Sequence, residues 1–470
     1  MNEQKFIIGG EWRTGHSMAV IRDVFNESVL AHVHQASSSD AEEAVCSAQH
    51  AFKTTSQYSS LERADILRSI SEQIAKRKEE FALTITRESG KPITFSRAEV
   101  DRAVATFEIA SEEAKRINGE IIPLDSTAAG KGKYGHIQHF PIGIILCIAP
   151  FNFPLNLVAH KIAPAIASGN SFILKPPPQT PLTSMLLGEV LLSSGLVPSS
   201  VNILPMENSI AEQLVADDRI AMLSFTGSAK VGWMLKSKAS KKRVILELGG
   251  NAAAIIDASA DIPHAVSRCV IGAFGYSGQV CIKVQRIILH ATIAEEFTKQ
   301  FLAAVQLAVT GDPNNAAVIS GPMISEQEAI RVETWVNEAV TAGAVVLIGG
   351  KRNGKFYAPT VLSGVNAYMK VCSEEIFGPV VTIETVADIE EAVQSANDTK
   401  YGLQAGIFSN DHQVIQFAYK NLHVGGVIVN DHPTFRVDSM PYGGVKDSGL
   451  GREGVRYAMF EMLEKKLLVM

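Results

Sequence analysis

From Gly143 onward the chain alternates short apolar runs, GIILCIA, SFILK, VNIL, AMLSF and VILEL, with helical stretches such as SMLLGEVLLSSG. Runs that apolar, bounded by Gly, Pro and Ser, need cover on both faces, which parallel βα units provide. The pattern therefore predicts a doubly wound α/β lobe. A second α/β passage follows, with helical IAEEFTKQFLAAVQLAV and SEQEAIRVETWVNEAVTAG and the short strands AVVLIGG and VVTIET. Two lobes with a seam between them fit a chain of 470 residues, at about 150 residues per domain. Upstream, from Leu61 to about Ile117, apolar residues recur at helical spacing, and the STAAGKGKYGHIQ passage after Gly119 reads as a hairpin excursion.

Composition excludes several classes. With 46% hydrophobic and 20% charged residues the chain is neither disordered nor fibrous, and a net charge of −6 leaves no footprint for nucleic acid. The opening MNEQKFIIGGEW lacks an apolar signal core, and the apolar run Ile142 to Phe151 is too short to span a bilayer. We expect a cytoplasmic protein with no membrane partner. Five cysteines, Cys46, Cys147, Cys269, Cys281 and Cys372, are scattered without paired spacing, which argues against disulfides and against a metal site.

Four places concentrate chemistry. In GYSGQVCIKVQR, Cys281 follows a glycine turn; a lone cysteine is by default a small core side chain. In PFNFP, Asn152 stands between a strand end and a helix start, where open α/β sheets hold ligands, though on its own a helix cap or a turn is the simpler explanation. Lys175 ends the strand SFILK, and Gly227 and Ser228 in FTGSAKVGW precede a helix whose free N–H groups suit a phosphate. In VILELGG, Glu247 is a single carboxylate in an apolar strand, so it either finds a partner or acts as a base with a raised pKa.

Taken in order, KFIIGGEW, ESGKP, PFNFP, KPPPQTP, FTGS, LELGGN, SGQVC, EEIFGP and MPYGGVKDSGLGREG resemble the motif series of the aldehyde dehydrogenase superfamily nearly end to end. In motif style the chain is most similar to bacterial small-aldehyde, semialdehyde and non-phosphorylating glyceraldehyde 3-phosphate dehydrogenases. The resemblance implies an NAD(P)-dependent oxidoreductase that converts an aldehyde to its acid. It makes Cys281 the nucleophile of a thiohemiacetal and then a thioester, Asn152 the oxyanion donor and Glu247 the base for the hydrolytic water. For the NAD or NADP cofactor it implies Ile148, Pro150 and Phe151 at the strand end, Lys175 on the adenosine ribose, Gly227 and Ser228 at the pyrophosphate, and Glu375 with Phe377 at the nicotinamide ribose. Phe151 would also border the substrate channel, and Trp233 the cofactor channel.

Two departures keep the choice of NAD or NADP open: Pro178 stands where many NAD-preferring members carry a glutamate, and LPMENS lacks a glycine common after that strand. For substrate, Arg102 and Arg436 form a potential clamp for a small anionic aldehyde through forked hydrogen bonds, with two ordinary surface arginines as the alternative. Val280 withholds the further arginine that glyceraldehyde 3-phosphate enzymes carry beside the cysteine. His160 reads as a core or supporting histidine, and Cys46, Cys147, Cys269 and Cys372 as packing cysteines.

The resemblance further implies a cofactor domain of residues 1–118 and 142–249, a catalytic domain of 250–443, and an oligomerisation unit of 119–141 and 444–470, with a homodimer or homotetramer. Two alternatives remain at this level: a coenzyme A-acylating semialdehyde dehydrogenase, which Glu247 disfavours, and a catalytically silent protein on the same fold.

Overall fold

A computed structural model describes residues 3–470. The first lobe is built on a five-stranded sheet in the order Gly449–Leu450, Arg243–Glu247, Ile220–Thr226, Ile144–Ile148, Ser171–Lys175. All its pairings are parallel except that of Gly449–Leu450. The strand Ile144–Ile148 is buried at every position, and its side chains divide between two cores. Ile145 and Cys147 enter one, while Ile144, Leu146 and Ile148 enter the other. That division is what a sheet covered by helices on both faces requires, since successive side chains alternate. Truncating Ile145 to alanine would cost about 2–5 kcal/mol.

The second lobe repeats the arrangement on a seven-stranded sheet, in the order Val345–Ile348, Thr360–Ser363, Val380–Val386, Arg286–His290, Ala253–Ile256, Gln404–Phe408, Gly426–Val429. Ala254 and Ile256 face one core, and Ala253 and Ile255 the other. A third sheet joins the C-terminal strand Leu463–Val469 to the hairpin Glu120–Pro123 and Tyr134–Pro141. The architecture is thus α/β, with two Rossmann-like lobes and a hairpin-plus-tail sheet.

The helical passage from Leu61 folds as helices, Ser60–Lys76, Lys78–Ser89 and Ile93–Glu113, the first two meeting at Arg77, whose guanidinium is held by Glu80 and Glu189. Two local expectations need correction. VNIL forms no strand of its own: Ile203 makes only single bridges to Ile7 and Leu174, because Pro198 and Pro205 confine the segment. Cys46 is not a packing cysteine; it lies exposed on the helix Ser38–Thr55, 3.6 Å from a Glu42 oxygen.

Candidate active site

Beyond the strand Ile144–Ile148 the chain crosses through PFNFP, starting at Pro150, to the helix Asn156–Ala167. That helix is not capped by Asn152. Its first N–H groups are taken by Glu99, whose carboxylate accepts from Leu155 N at 2.9 Å and Asn156 N at 3.1 Å. Glu99 is itself ion-paired with the buried Lys91 of ESGKP. The Lys91 ammonium lies 3.6 Å from the centre of the Phe153 ring and 4.7 Å from that of Tyr276. One buried cation therefore ties the asparagine loop to the cysteine loop, through cation–π contact strengthened by desolvation.

The cysteine loop is strained before it reaches the thiol. Tyr276, Ser277 and Gly278 all have left-handed backbones, with φ of 53°, 54° and 66°. Non-glycine residues hold such angles only where their surroundings enforce them. Here Tyr276 N donates to Ile319 O at 2.8 Å, Ser277 Oγ donates to Gly321 O at 2.6 Å, and Gln279 Oε1 accepts from Ile324 N at 2.9 Å. At Gly278 a Cβ would also meet the Gly378 carbonyl oxygen at 2.3 Å, so no other residue fits.

These loops and the end of the strand Arg243–Glu247 converge on one cavity of about 550 Å³, whose wall includes Asn152, Glu247 and Cys281. The half-buried Cys281 thiol donates to Glu247 Oε1 at 3.5 Å and lies 3.3 Å from the Tyr442 hydroxyl. Asn152 uses one N–H on Gln279 O at 3.0 Å, while its buried Oδ1 has no partner among the described residues. The amide's second N–H stays available. Burial is the main force raising Glu247 to about 7; the charge of Glu453 adds to it, and Arg436 and Lys161 oppose it. Burial likewise pushes the Cys281 thiol well above its usual range, helped by Glu247.

The same cavity takes in Pro150, Phe151, Gly227, Ser228, Glu375 and Phe377 from the expected cofactor set. Ile148 and Lys175 are not on its wall; they sit side by side, paired at the ends of neighbouring strands. The geometry fits a dinucleotide at several points. Ser228 precedes the helix Ala229–Lys238 and makes no side-chain cap, leaving its hydroxyl and the helix N–H groups for an anion. Lys175 is 4% exposed, its ammonium has no ion pair or hydrogen bond among the described residues, and burial lowers it to about 8. Glu375 accepts from Gly250 N at 3.3 Å, and burial raises its carboxyl to about 8. A Cβ at Gly249 would fall 2.1 Å from Glu375 Oε2, so that glycine gives the carboxylate its room.

Behind the thiol lies a second polar layer, most of whose groups are paired. Arg102 grips Asp438 through Nε at 3.3 Å and Nη2 at 2.7 Å. His160 Nε2 donates to the same carboxylate at 2.6 Å, and Arg436 Nη2 contacts His160 and, at 3.0 Å, Glu453. Lys161 donates to Glu453 at 3.1 Å and to Thr226 at 2.6 Å. Neither arginine is on the wall of this cavity; Arg436 instead stacks on the Tyr442 ring, 3.6 Å from its centre, and Tyr442 touches the thiol. Trp233 also stays off this wall and donates to the Asp447 carbonyl at 3.3 Å.

Sequence reasoning passed over Tyr442, Gln179, Arg331 and Trp335. Tyr442 lay inside the quoted MPYGG, but nothing in that motif announces that its hydroxyl reaches a sulfur 161 residues away in sequence. Arg331 and Trp335 sit four apart on the helix Glu326–Thr341 and form a cation–π pair at 4.7 Å on the cavity wall.

A thiol, an amide and a neutralisable carboxylate around one cavity, set at the seam of two nucleotide-binding-type lobes, describe an enzyme of carbonyl chemistry. The chain belongs to the aldehyde dehydrogenase family, whose family model matches residues 12–468. It is 42% identical over 464 residues to the 3-sulfolactaldehyde dehydrogenase of Priestia megaterium, covering 98% of this chain and 97% of that protein. Among solved structures, aldehyde dehydrogenase 21 of Physcomitrella patens, in complex with the reaction product succinate, superposes with a TM-score of 0.98 at 43% identity, covering 100% of this chain and 98% of that one. Glyceraldehyde-3-phosphate dehydrogenase of Methanocaldococcus jannaschii, complexed with NADP, gives 0.92 at 38% identity, covering 97% and 99%.

Proposed function

We propose that this aldehyde dehydrogenase oxidises a small aldehyde carrying an anionic group to its carboxylic acid, with NAD or NADP as acceptor. The observation that carries the reading is the contact of the Cys281 thiol with Glu247, at 3.5 Å, beside the free N–H of Asn152. Glu247 takes the thiol proton as Sγ bonds to the carbonyl carbon, and the carbonyl π electrons become an alkoxide held by Asn152 Nδ2 and the Cys281 backbone N–H. NAD(P)+, held by the residues named below, would supply the hydride acceptor for conversion of this thiohemiacetal to a thioester. Glu247, after passing the thiol's proton to solvent, then removes a proton from water as the water oxygen attacks the thioester carbon, and returns it to the departing sulfur. The C–S bond breaks, releasing acid and thiol. A carboxylate raised to about 7 is matched to both proton transfers near neutral pH. The cofactor set would be Ile148, Pro150, Phe151, Lys175, Gly227, Ser228, Glu375 and Phe377. A buried carboxylate placed for water disfavours coenzyme A as the acyl acceptor, and a silent scaffold would need none of the three groups.

Support for an anionic substrate comes from unpaired N–H groups. Arg102 uses Nε and Nη2 on Asp438 and leaves Nη1 without a partner among the described residues, with its side chain 28% exposed. The buried Nε of Arg436 is also unpartnered there. The Priestia relative is named for an aldehyde bearing a sulfonate, and the Physcomitrella structure holds a dicarboxylate product. The division into cofactor, catalytic and oligomerisation units, and a homodimer or homotetramer, complete the reading. The tail strand supports assembly, with Leu467, Leu468 and Val469 each about half exposed. Five free cysteines suit a reducing cytoplasm.

The test is NADH and NADPH formation with aldehydes of equal length that do or do not end in an anion. The reading expects the anionic set to be preferred, Arg102→Gln to raise KM for that set alone by about tenfold, and Cys281→Ala to abolish turnover. Equal use of neutral aldehydes would remove the clamp; turnover by Cys281→Ala would remove the nucleophile.

A further inference from the structure

Tyr442 is fixed on every side, and only one of its contacts is chemically unusual. Its backbone pairs with Glu453 in both directions, Tyr442 N to Glu453 O at 3.0 Å and Glu453 N to Tyr442 O at 2.6 Å. Its ring carries the Arg436 guanidinium 3.6 Å from the ring centre, and that guanidinium is held in turn by the Glu453 carboxylate. Its edge packs with Ile282, Leu403 and Val280. The hydroxyl, in a side chain only 2% exposed, has a single hydrogen-bond partner among the described residues, the Cys281 sulfur at 3.3 Å. A phenylalanine would fill the same apolar pocket, so packing does not explain the oxygen. A buried hydroxyl without a partner is costly, and here the partner is the nucleophile itself.

We propose that Tyr442 is a catalytic residue: its O–H donates to Cys281 Sγ and stabilises the thiolate, while Arg436, stacked on its ring, is a positioning residue that strengthens that donation. Donor direction follows from the neighbours, because the thiol hydrogen is directed to Glu247 Oε1 and leaves a sulfur lone pair for the phenol. Four ionisable groups face the sulfur. Glu247, at the end of its strand, and Glu375, from the loop before Val380–Val386, oppose its ionisation as burial does. Tyr442 and Arg436 are the two that favour it. The phenol, pushed far above its usual range chiefly by burial, stays a donor across the working pH range. Without this pair the thiol would face two carboxylates in a desolvated site with nothing to support its charge.

The proposal rests on Cys281 being the nucleophile, and one experiment separates the two ideas. The full chain, without aldehyde, is alkylated with iodoacetamide across pH, and the rate is followed at the Cys281 peptide by mass spectrometry. Tyr442→Phe is expected to move the midpoint of the rate profile up by about one pH unit, the worth of one hydrogen bond to a charged group. Arg436→Met should move it in the same direction by less. 3-Fluorotyrosine at position 442, a stronger donor of nearly the same shape, should move it down. That opposite sign is a result loss of packing cannot produce. Aldehyde KM should hold in Tyr442→Phe while the rate of the first turnover falls about tenfold below the shifted midpoint. Alkylation at Cys281 with an unchanged midpoint in both position-442 variants overturns the proposal alone. Alkylation that spares Cys281 overturns the nucleophile assignment and the proposal with it.

Discussion

Four carboxylates, two on the cavity wall and two in the polar layer behind it, are treated in opposite ways by the regions they occupy. On the cavity side, Glu247 and Glu375 have no ion pair among the described residues, and burial raises them to about 7 and about 8. On the rear side, burial pushes Asp438 and Glu453 up as well, but it is overcome. His160 and Arg102 hold Asp438 well below the ordinary range, and Lys161, His160 and Arg436 do so for Glu453. The chemical group is the same, and its partners decide the outcome. An unpaired carboxyl in a desolvated wall can exchange a proton near neutrality, whereas a paired one is a fixed anion that orients its cations.

The strongest way to break this contrast is Glu247→Gln, which removes the exchangeable proton site and keeps the shape. Release of acid should slow by about 10²–10⁴-fold, while the first turnover, read as a burst of reduced cofactor, survives in part. Equal loss of burst and steady state would mean that Glu247 does not act on the thioester. Glu453→Gln tests the rear side. It strands Lys161 and Arg436 without their shared anion, and chemical denaturation should show a stability loss of about 3–5 kcal/mol.

The two regions also differ in the sign of their pH dependence. Glu247 and Glu375, raised in the fold, contribute stability that is complete below about pH 4 and is lost as pH rises through about 7 and 8. Asp438 and Glu453, held low, contribute stability that is present above about pH 4 and is lost only in stronger acid. Glu375→Gln should therefore stabilise the chain at pH 8 by on the order of 1 kcal/mol in thermal unfolding while weakening cofactor binding. The smallest change, Gly249→Ala, displaces the same carboxylate sterically, since its new Cβ would fall 2.1 Å from Glu375 Oε2. Cofactor KM should rise with little change in stability.

The cavity side was far more legible in the sequence than the rear. A cysteine after a glycine turn, an asparagine at a strand end and a glutamate in an apolar strand each break a local pattern, and each stands on the cavity wall. Burial at every position of the strands Ile144–Ile148 and Ser171–Lys175 likewise follows from their composition. The rear layer joins Arg102 to Asp438 and Lys161 to Glu453 across hundreds of residues, and no local pattern encodes such pairs. Arg102 and Arg436 stood out as cations, but their acidic partners did not. For the same reason the anion pairing of both arginines emerged only from the fold. VNIL misled differently: its β-branched composition is that of a strand, but flanking prolines leave room for single bridges only.

The most direct test of the contrast is pH-difference infrared spectroscopy on protein with ¹³C-labelled glutamate carboxyls, comparing wild type with Glu247→Gln and Glu375→Gln. The account predicts two protonated carboxyl bands that disappear on raising the pH, one with a midpoint near 7 that is missing in Glu247→Gln and one near 8 that is missing in Glu375→Gln. A wild-type spectrum with no carboxyl titrating above about pH 6, or bands near 7 and 8 that persist unchanged in both variants, would contradict it.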